Sequence, residues 1–428
     1  MTRRTDDQER ARGEAPDAPE APDAPEARAT APGSTPQDGD ADRPGLSEVE
    51  PEALRSWLKG AGQPAYRAAQ VADGLWGGRA ATLDDVRTLP AALRARLDAA
   101  FRFDTLARTD VRDADDGPTA RALHLLGDGA TIESVLMHYP ARGERRERNT
   151  LCISSQAGCA VGCPFCATGE LGFERDLEVA EIVDQVRGAV RRLTARGRRL
   201  TNVVFMGMGE PFLNLDRVLA AAAILTDPTR VGLGARHVTL STSGVVPGIR
   251  RLTRMAPQYT LAVSLHAARD PLRDVLVPLN RRWPVAQVVS AATEYQVATG
   301  RRVSYEYVMI DGVNDTAADL ASLADLLRGR HAHVNLIPMN DVAHTPWRAT
   351  PAERIEAFAV GLQSAGIGTT VRRNRGREVG AACGQLAAER AGEPPAPAVA
   401  RRRALLVEES ARALRGERSP ARRGTGLP

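Results

Sequence analysis

The hydrophobic positions between residues 150 and 340 fall into short β-type runs that are separated by helical stretches. One such stretch is LDRVLAAAAIL (215–225), whose apolar residues recur at helical spacing. The six β-type runs are TLCISS (150–155), NVVFMGMG (202–209), HVTLSTSG (237–244), TLAVSLHA (260–267), RVSYEYVMI (302–310) and HVNLIPMN (333–340). Strands that alternate with helices predict a parallel sheet with right-handed crossovers. We therefore expect the chemistry at the carboxyl ends of the strands.

The chain before residue 150 shows two other patterns. Helical spacing from Ser47 to about Phe101 predicts a helical accessory domain over residues 45–105, of a size suited to docking a partner. Alternating apolar residues in ARALHLL and ATIESVLMHY then predict a short β segment over 106–149. This segment leads into a predicted core over 150–389.

The two ends of the chain differ from the rest in composition. Residues 1–44 are acidic and rich in Pro and Ala, with the repeat APDAPEAPDAPEA, so we predict a disordered tail. Residues 390–428 are basic, and we predict one helix near 401–415 in an otherwise loose tail. The basic tail either binds RNA or is only solvated, and its composition leaves both interpretations open.

Overall composition sets limits on location and partners. The net charge of +4 is a mild indication of an acidic partner. No run of 18 apolar residues occurs, and no apolar signal region begins the chain, so we predict a cytoplasmic protein without a membrane segment. A reducing compartment favours the use of cysteines for a metal and for catalysis over a disulfide framework.

Three of the five cysteines lie within eight residues, as CAVGCPFC. Structural zinc usually has four protein ligands, and iron–sulfur cubes usually have four cysteines, so a set of three leaves one position open for chemistry. The candidate metal ligands are Cys159, Cys163 and Cys166. An iron–sulfur cluster, a zinc ion that takes the distant His138 as fourth ligand, and three reduced thiols all fit this spacing.

Small and hydrogen-bonding residues follow most of the predicted strands. Each of them alone is more typical of a turn or a helix cap. Together, in order along the sheet, they predict the lining of a polar cofactor site, whereas the fifth strand, which ends at Asp311, is less informative. The candidate residues are Gly209, Glu210, Ser241, Ser264, Leu265, His266 and Asn340.

Six blocks resemble, in the correct order, the dual-specificity ribosomal RNA and transfer RNA adenosine C2-methyltransferases, a branch of the radical S-adenosylmethionine superfamily. The resemblance covers residues 47–390. It implies an α/β fold, a partial (β/α)6 radical-SAM barrel with a small N-terminal helical accessory domain and disordered tails. The blocks are CISSQAGCAVGCPFCATGELGF, NVVFMGMGEPFLN, STSGVVPGI, AVSLHA, NLIPMN and RRNRGREVGAACGQL.

The resemblance also implies the cofactors. Cys159, Cys163 and Cys166 would hold one 4Fe–4S cluster, whose fourth iron is bound by S-adenosylmethionine, and each turnover would use two S-adenosylmethionine molecules. The strand-end candidates listed above match the family's S-adenosylmethionine contacts. Adenine C2 is electron-poor and cannot attack a methyl group as a nucleophile, so a carbon radical is the reasonable route, and the cofactor carries that chemistry.

The catalytic residues follow from the same resemblance. Cys383 matches the cysteine that carries the methyl group, and Glu133 the carboxylate that takes the C2 proton. Cys152 matches the cysteine that attacks the Cys383 sulfur, forms a disulfide bond and releases the product. For Glu133, the alternating pattern of its strand also allows a solvent-facing position.

The implied partners are 23S ribosomal RNA at the peptidyl-transferase centre, transfer RNA at the adenosine beside the anticodon, and an electron-donating reductase or flavodoxin-like protein. A monomer is the default expectation. Among the arginine clusters, only the set beside Cys383 is expected to contact RNA. The clusters are Arg142, Arg145, Arg146 and Arg148; Arg191, Arg192, Arg196, Arg198 and Arg199; and Arg372, Arg373, Arg375 and Arg377.

Two alternatives remain open from the sequence. The related C8-adenine ribosomal RNA methyltransferases of the antibiotic-resistance type share the cysteines and the cofactor motifs. A non-catalytic, metal-stabilised RNA-binding protein is the alternative from a different class. Cys152, Cys383 and the intact strand-end motifs argue against it, since a binder has no use for them.

Overall fold

The structure is a computed structural model. It describes residues 43–114, 117–144, 146–340, 342, 345–372, 380, 385 and 396–417, without the side chains of 396–400. The predicted disordered tail over residues 1–44 lies outside the described residues except for its last two. Cys383, Arg145, Arg373, Arg375 and Arg377 also lie outside them.

The first part of the described chain is helical, as its apolar spacing predicts. Three helices, α1 (Pro51–Gly60), α2 (Tyr66–Trp76) and α3 (Ala91–Ala100), pack around a hydrophobic cluster of their own. Leu58 and Leu97 are almost completely buried in it, and each such leucine contributes about 1.5–3 kcal/mol relative to an exposed position. The boundaries of a separate domain over 45–105 stay a prediction.

Ten strands form one sheet in the order β1-β2-β3-β4-β7-β8-β9-β10-β11-β12, while β5 and β6 pair with each other. β1 to β4 are antiparallel neighbours, and β4 is parallel to β7, as are all the following pairs. The strands are β1 (Leu106–Asp113), β2 (Thr119–Leu126), β3 (Thr131–Tyr139), β4 (Arg148–Cys152), β5 (Gln156–Gly158), β6 (Phe173–Asp176), β7 (Asn202–Phe205), β8 (Val238–Thr242), β9 (Thr260–Ser264), β10 (Val303–Met309), β11 (Ala332–Pro338) and β12 (Gly368–Val371).

The remaining helices are α4 (Ala167–Leu171), α5 (Val179–Thr194), α6 (Leu215–Thr226), α7 (Val246–Met255), α8 (Asp270–Leu276), α9 (Val285–Thr299), α10 (Ala317–Leu327), α11 (Ala352–Ser364) and α12 (Ala396–Leu414). Of these, α5 to α11 lie between successive parallel strands, whereas α4 lies between β5 and β6 and α12 follows β12. In α5, Ile182, Val183 and Val186 are fully buried. No helix in the described part of the chain is long and apolar enough to cross a membrane.

The mixed α/β fold with a central parallel sheet is confirmed, and all six predicted strands are present. Besides the six predicted strands, the described residues contain a seventh parallel strand, β12, which the sequence did not predict. The sequence GTTV of β12 has only Thr369 buried, so it shows no apolar run that would predict a strand.

The C-terminal segment is also more ordered than predicted over part of its length. Helix α12 begins five residues before the expected helix near 401–415 and packs against α8. Leu406 and Ala413 are fully buried, and Arg402 forms an ion pair with Glu170 of α4. Residues 396–414 therefore belong to the folded part of the chain.

Candidate functional site

The three clustered cysteines lie on the loop between β5 and α4. The loop is closed by two backbone hydrogen bonds, from Cys159 N–H to Gly172 O at 2.7 Å and from Cys166 N–H to Cys163 O at 3.1 Å. Gly158 has φ +74, and a Cβ there would lie 1.9 Å from the carbonyl oxygen of Gly172. Any other residue at this position would force the loop open.

All three thiols line one cavity at the carboxyl ends of the parallel strands. Burial raises the pKa of Cys159 to about 12 and the pKa of Cys163 well above its usual range. The thiols of Cys159 and Cys163 are therefore protonated near neutral pH until a metal binds, since metal binding to cysteine releases protons. This environment suits a metal centre better than a reactive thiol.

No group of three or more His, Cys, Asp or Glu side chains, among the residues described, is placed to hold a single metal ion. This absence does not argue against a 4Fe–4S cluster. In such a cluster each cysteine binds a different iron, so the three sulfur atoms need not converge on one point. His138, the fourth ligand of the zinc alternative, bonds Asn149 at 2.8 Å and is not among the residues that line the cavity. The donor set thus fits an iron–sulfur cluster, and the proposed His138 ligand does not fit zinc.

The predicted strand-end residues meet the cysteines in the same cavity, with one exception. Leu265 is fully buried in the core, and its side chain does not line the cavity. Successive side chains of an extended chain point to opposite sides. Because Ser264 and His266 face the cavity, Leu265 between them faces the core. The strand-end residues that line the cavity are Gly209, Glu210, Ser241, Ser264, His266 and Asn340.

Glu210 lies in the cavity wall with its carboxylate already held by the protein. Oε2 accepts the backbone N–H of Ser243 at 2.7 Å and its hydroxyl at 2.6 Å, and Oε1 accepts the N–H of Phe212 at 3.0 Å. Burial raises the pKa of this carboxyl. Gly209, with φ +99, has no room for a side chain, because a Cβ would lie 2.5 Å from that of Gln156. The backbone can therefore approach a ligand closely here.

His266 has a backbone conformation that is uncommon for a residue other than glycine, with φ +62. Its Nδ1 accepts the N–H of Val308 at 3.1 Å, which assigns the ring proton to Nε2. Burial, and then the nearby Arg273, lower the pKa of His266 to about 3, so the ring is neutral. Its edge-to-face contact with Phe165, at 4.9 Å between ring centroids, joins the cysteine loop to the end of β9.

Two further charged residues in the cavity were not expected there. Glu306 of β10 is buried and accepts the side-chain amide of Asn335 at 2.8 Å, and it pairs with Arg372 at 3.3 Å. Arg372, which we expected to contact RNA, thus points into the cavity. A carboxylate within the apolar run RVSYEYVMI could have indicated that Glu306 has a function. No comparable feature of the sequence indicates that Arg372 lies in the cavity.

Glu133 and Cys152 lie outside the cavity lining, on a second cluster in the antiparallel part of the sheet. Glu133 is 1% exposed, so the solvent-facing interpretation is wrong. Arg121 donates to both of its carboxylate oxygens, at 2.6 and 2.9 Å. Such bidentate pairing with a buried carboxylate is strong and geometrically specific.

The strand register places this pair and Cys152 on one face of the sheet. Val135 lies opposite both Cys152 and Arg121, and directly paired residues share a face. A Cβ at Gly380 would lie 3.0 Å from Nη1 of Arg121. The chain therefore passes this cluster three residues before Cys383, which itself lies outside the described residues.

Comparison with known proteins gives consistent results. The family model of the Radical SAM superfamily matches residues 153–326. A probable dual-specificity RNA methyltransferase RlmN of Frankia casuarinae is 49% identical over 359 residues, which cover 82% of this chain and 84% of that protein. The protein of the same description from Thermobifida fusca is 47% identical, with 80% of this chain and 94% of that protein covered. The chain belongs to the RlmN-type dual-specificity RNA methyltransferases.

A solved structure supports the same assignment for this RlmN-type chain. The crystal structure of a radical SAM methyltransferase from Sphaerobacter thermophilus has a TM-score of 0.76 and 45% sequence identity, covering 81% of this chain and 99% of that chain. The protein is an S-adenosylmethionine-dependent radical RNA methyltransferase. Membership of the family implies an iron–sulfur cluster, S-adenosylmethionine and an RNA substrate, and the non-catalytic alternative is not supported.

The first two arginine clusters of this RlmN-type chain, as far as the structure describes them, lie away from the cavity. Arg142, Arg146 and Arg148 precede or begin β4, and the cluster at the end of α5 precedes β7, so both lie at the amino ends of parallel strands. The second cluster is partly neutralised, because Arg192 pairs with Asp113 and Arg198 with Glu147. These positions favour the solvated interpretation for both clusters.

Proposed function

We propose that the protein methylates C2 of adenine in 23S ribosomal RNA, and C2 of the adenosine beside the anticodon in transfer RNA. The observation that carries the proposal is the single cavity that joins the three cysteines to six strand-end residues of the cofactor motifs. The relatives described above are dual-specificity RNA methyltransferases by name. A cytoplasmic location follows from this substrate class.

We assign the cluster to Cys159, Cys163 and Cys166, and S-adenosylmethionine to the wall formed by Gly209, Glu210, Ser241, Ser264, His266 and Asn340, with Leu265 acting through its backbone. When bound, these groups supply a methyl group and a carbon radical, with the electron provided by a reductase or flavodoxin-like protein. The chain's own contribution is to hold both groups at one end of the sheet and to exclude water from them.

The protein side of the reaction uses two cysteines and a carboxylate. Cys383 would lose its thiol proton and accept the methyl group on its sulfur. This methyl group would then lose one hydrogen atom to the carbon radical that bound S-adenosylmethionine supplies, its carbon would bond to C2 of the adenine, and one electron would return to the cluster. Glu133 takes the C2 proton. Arg121 donates to both carboxylate oxygens of Glu133, so one of these two hydrogen bonds must first break to free an oxygen for the proton. The Cys152 thiolate would then attack the Cys383 sulfur, which forms the disulfide bond as the carbon–sulfur bond breaks, and the released carbon would take up a proton from solvent to complete the new methyl group. Two electrons and two protons from a cellular reductant restore the thiols.

The test is nucleoside mass spectrometry on protein-free 23S ribosomal RNA that lacks the modification, incubated anaerobically with reconstituted protein, S-adenosylmethionine and a reductant. We expect 2-methyladenosine with the wild type and none with Cys383→Ala. A product at C8 would move the protein to the antibiotic-resistance type. No methylated adenosine, from protein that holds its cluster, would overturn the proposed substrate.

A second variant tests the role of Cys152. Because this cysteine is proposed to release the product, Cys152→Ala should accumulate a covalent protein–RNA adduct that survives a denaturing gel. Cys152→Ala/Cys383→Ala should form no adduct. Normal turnover by Cys152→Ala would show that Cys152 is only a buried strand residue.

A further inference from the structure

Arg273 of α8 is a fully buried arginine behind the cavity wall. Its Nε donates to the carbonyl oxygen of Leu265 at 3.0 Å. Its Nη2 donates to the carbonyl oxygens of Ser243 at 2.7 Å and Ser264 at 3.2 Å. The side chain therefore joins the backbone just after β8 to the backbone at the end of β9.

Both of these strand ends belong to the proposed S-adenosylmethionine site. Ser264 lines the cavity, and so does Ser243, whose N–H and hydroxyl hold the carboxylate of Glu210. A continuous chain of hydrogen bonds thus runs from Arg273 through Ser243 to Glu210. Arg273 itself is not among the residues that line the cavity, so it acts on a ligand only through these neighbours.

The fourth bond of the guanidinium fixes its orientation. Nη1 donates to Oδ1 of Asn280 at 2.9 Å. The amide nitrogen of Asn280 donates in turn to Asp274 at 2.6 Å and to Asp270 at 3.0 Å, so the amide cannot turn over without losing these bonds. The guanidinium of Arg273 is therefore fixed in one orientation, in which Nε and Nη2 point to the carbonyl oxygens at the two strand ends.

A purely structural role accounts poorly for this arrangement. Burying a cation is costly unless it is fully hydrogen-bonded, and apolar residues of similar volume often fill such a position with equal or greater stability. The guanidinium instead bonds the backbone at the ends of two neighbouring strands, β8 and β9, both of which border the cavity.

We propose that Arg273 is a positioning residue for S-adenosylmethionine: it fixes the carbonyls of Ser243, Ser264 and Leu265 relative to one another and so holds the two strand ends at the separation that the cofactor requires. The inference rests on the proposed cofactor site. It concerns geometry, so a lysine at this position, which keeps the charge but lacks the planar fork, does not replace the arginine.

The test compares two buried arginines. Arg187 of α5 also donates to two backbone carbonyls, those of Phe103 at 2.6 Å and Leu75 at 3.2 Å, and it lies between α5 and the helical segment, away from the cavity. S-adenosylmethionine binding is measured by equilibrium dialysis on anaerobically reconstituted protein with matched iron content. We expect Arg273→Lys to raise the dissociation constant about tenfold, the loss typical of a buried charged hydrogen bond, and Arg187→Lys to leave it unchanged.

The outcomes separate the two proposals. Failure of the wild type to bind S-adenosylmethionine would overturn the proposed cofactor site itself. Wild-type affinity in Arg273→Lys would overturn the role of Arg273, and an equal loss in Arg187→Lys would show that general destabilisation is the cause.

A milder variant covers the case in which Arg273→Lys does not fold. Asn280→Ala removes one acceptor of the guanidinium and leaves the charge in place. It should weaken S-adenosylmethionine binding by a smaller factor in the same direction, without loss of iron. Unchanged binding in Asn280→Ala would overturn the positioning role.

Discussion

Among single residues, Phe165 connects the cysteine loop to the sheet through its contact with His266. Such an aromatic pair contributes about 0.5–1.5 kcal/mol beyond its buried area. We therefore expect Phe165→Ala to weaken S-adenosylmethionine binding by about 2- to 12-fold at unchanged iron content. Equilibrium dialysis measures the effect. Phe173→Ala is the control, because Phe173 is 48% exposed close to the same loop; equal binding by both variants would contradict the role of Phe165.

His124 of β2 gives a prediction about pH. Burial lowers the pKa of His124 to about 4, and its ring nitrogens bond Ser134 and Thr109, both at 2.8 Å. Below about pH 6.5, His124 binds a proton in the unfolded chain but stays neutral in the folded chain. The free energy of unfolding therefore decreases as the pH falls from 6.5 towards 4. By pH 5 this loss is on the order of 2 kcal/mol.

Urea unfolding at pH 7 and pH 5 measures this loss. His124→Gln cannot titrate, so its difference in unfolding free energy between the two pH values should be smaller than that of the wild type. His331→Gln, at an exposed position, should behave as the wild type does. A wild-type pH dependence in His124→Gln would assign the acid sensitivity to other groups.

The limits of prediction from sequence are clear at single positions. Ser241, Ser264 and Asn340 could be placed because parallel strands end at one edge and their end residues meet there. Leu265 could have been excluded, since it stands between two cavity residues and period-2 alternation turns it to the core. The pairing of Glu306 with Arg372 could not be predicted, because the two residues lie 66 positions apart and no local pattern links them.

Among elements, helix α12 depends on the face that it packs against α8. Leu406 is fully buried, whereas its neighbour Leu405 is 44% exposed. Leu406→Ala should lower the free energy of unfolding by about 2–5 kcal/mol, as is usual for a leucine removed from a core. Leu405→Ala should change it by less than about 0.5 kcal/mol. Urea unfolding distinguishes them, and equal small effects would mean that α12 does not pack stably on the core in solution.

The elements also differ in how far the sequence predicts them. Long apolar runs predicted the six central strands because strands that are covered by helices carry buried residues along most of their length. The edge strand β12 was missed for the same reason, since three of its four positions are not buried. The start of α12 could not be predicted, because Pro397 and the surrounding alanines give no clear apolar period.

In the whole molecule, the length of the parallel strands separates the cavity from the arginine cluster at the end of α5. Arg199 is exposed and precedes β7, at the amino ends of the strands. Arg348 is exposed on the segment between β11 and α11, which leaves the carboxyl end of β11 and lies on the side of the cavity. RNA that presents its adenine to the cavity must pass this side, so Arg348 is the better candidate for a phosphate contact.

We therefore expect Arg348→Gln to weaken the binding of protein-free 23S ribosomal RNA fragments. It should reduce the slope of log K against log salt concentration by about 0.7–0.9, the value for one phosphate contact. Arg199→Gln removes the same charge at the opposite edge and should leave both quantities unchanged. Fluorescence anisotropy over a series of salt concentrations measures them. An equal loss in both variants would mean that the RNA also contacts the amino ends of the strands, where the sequence concentrates its arginines.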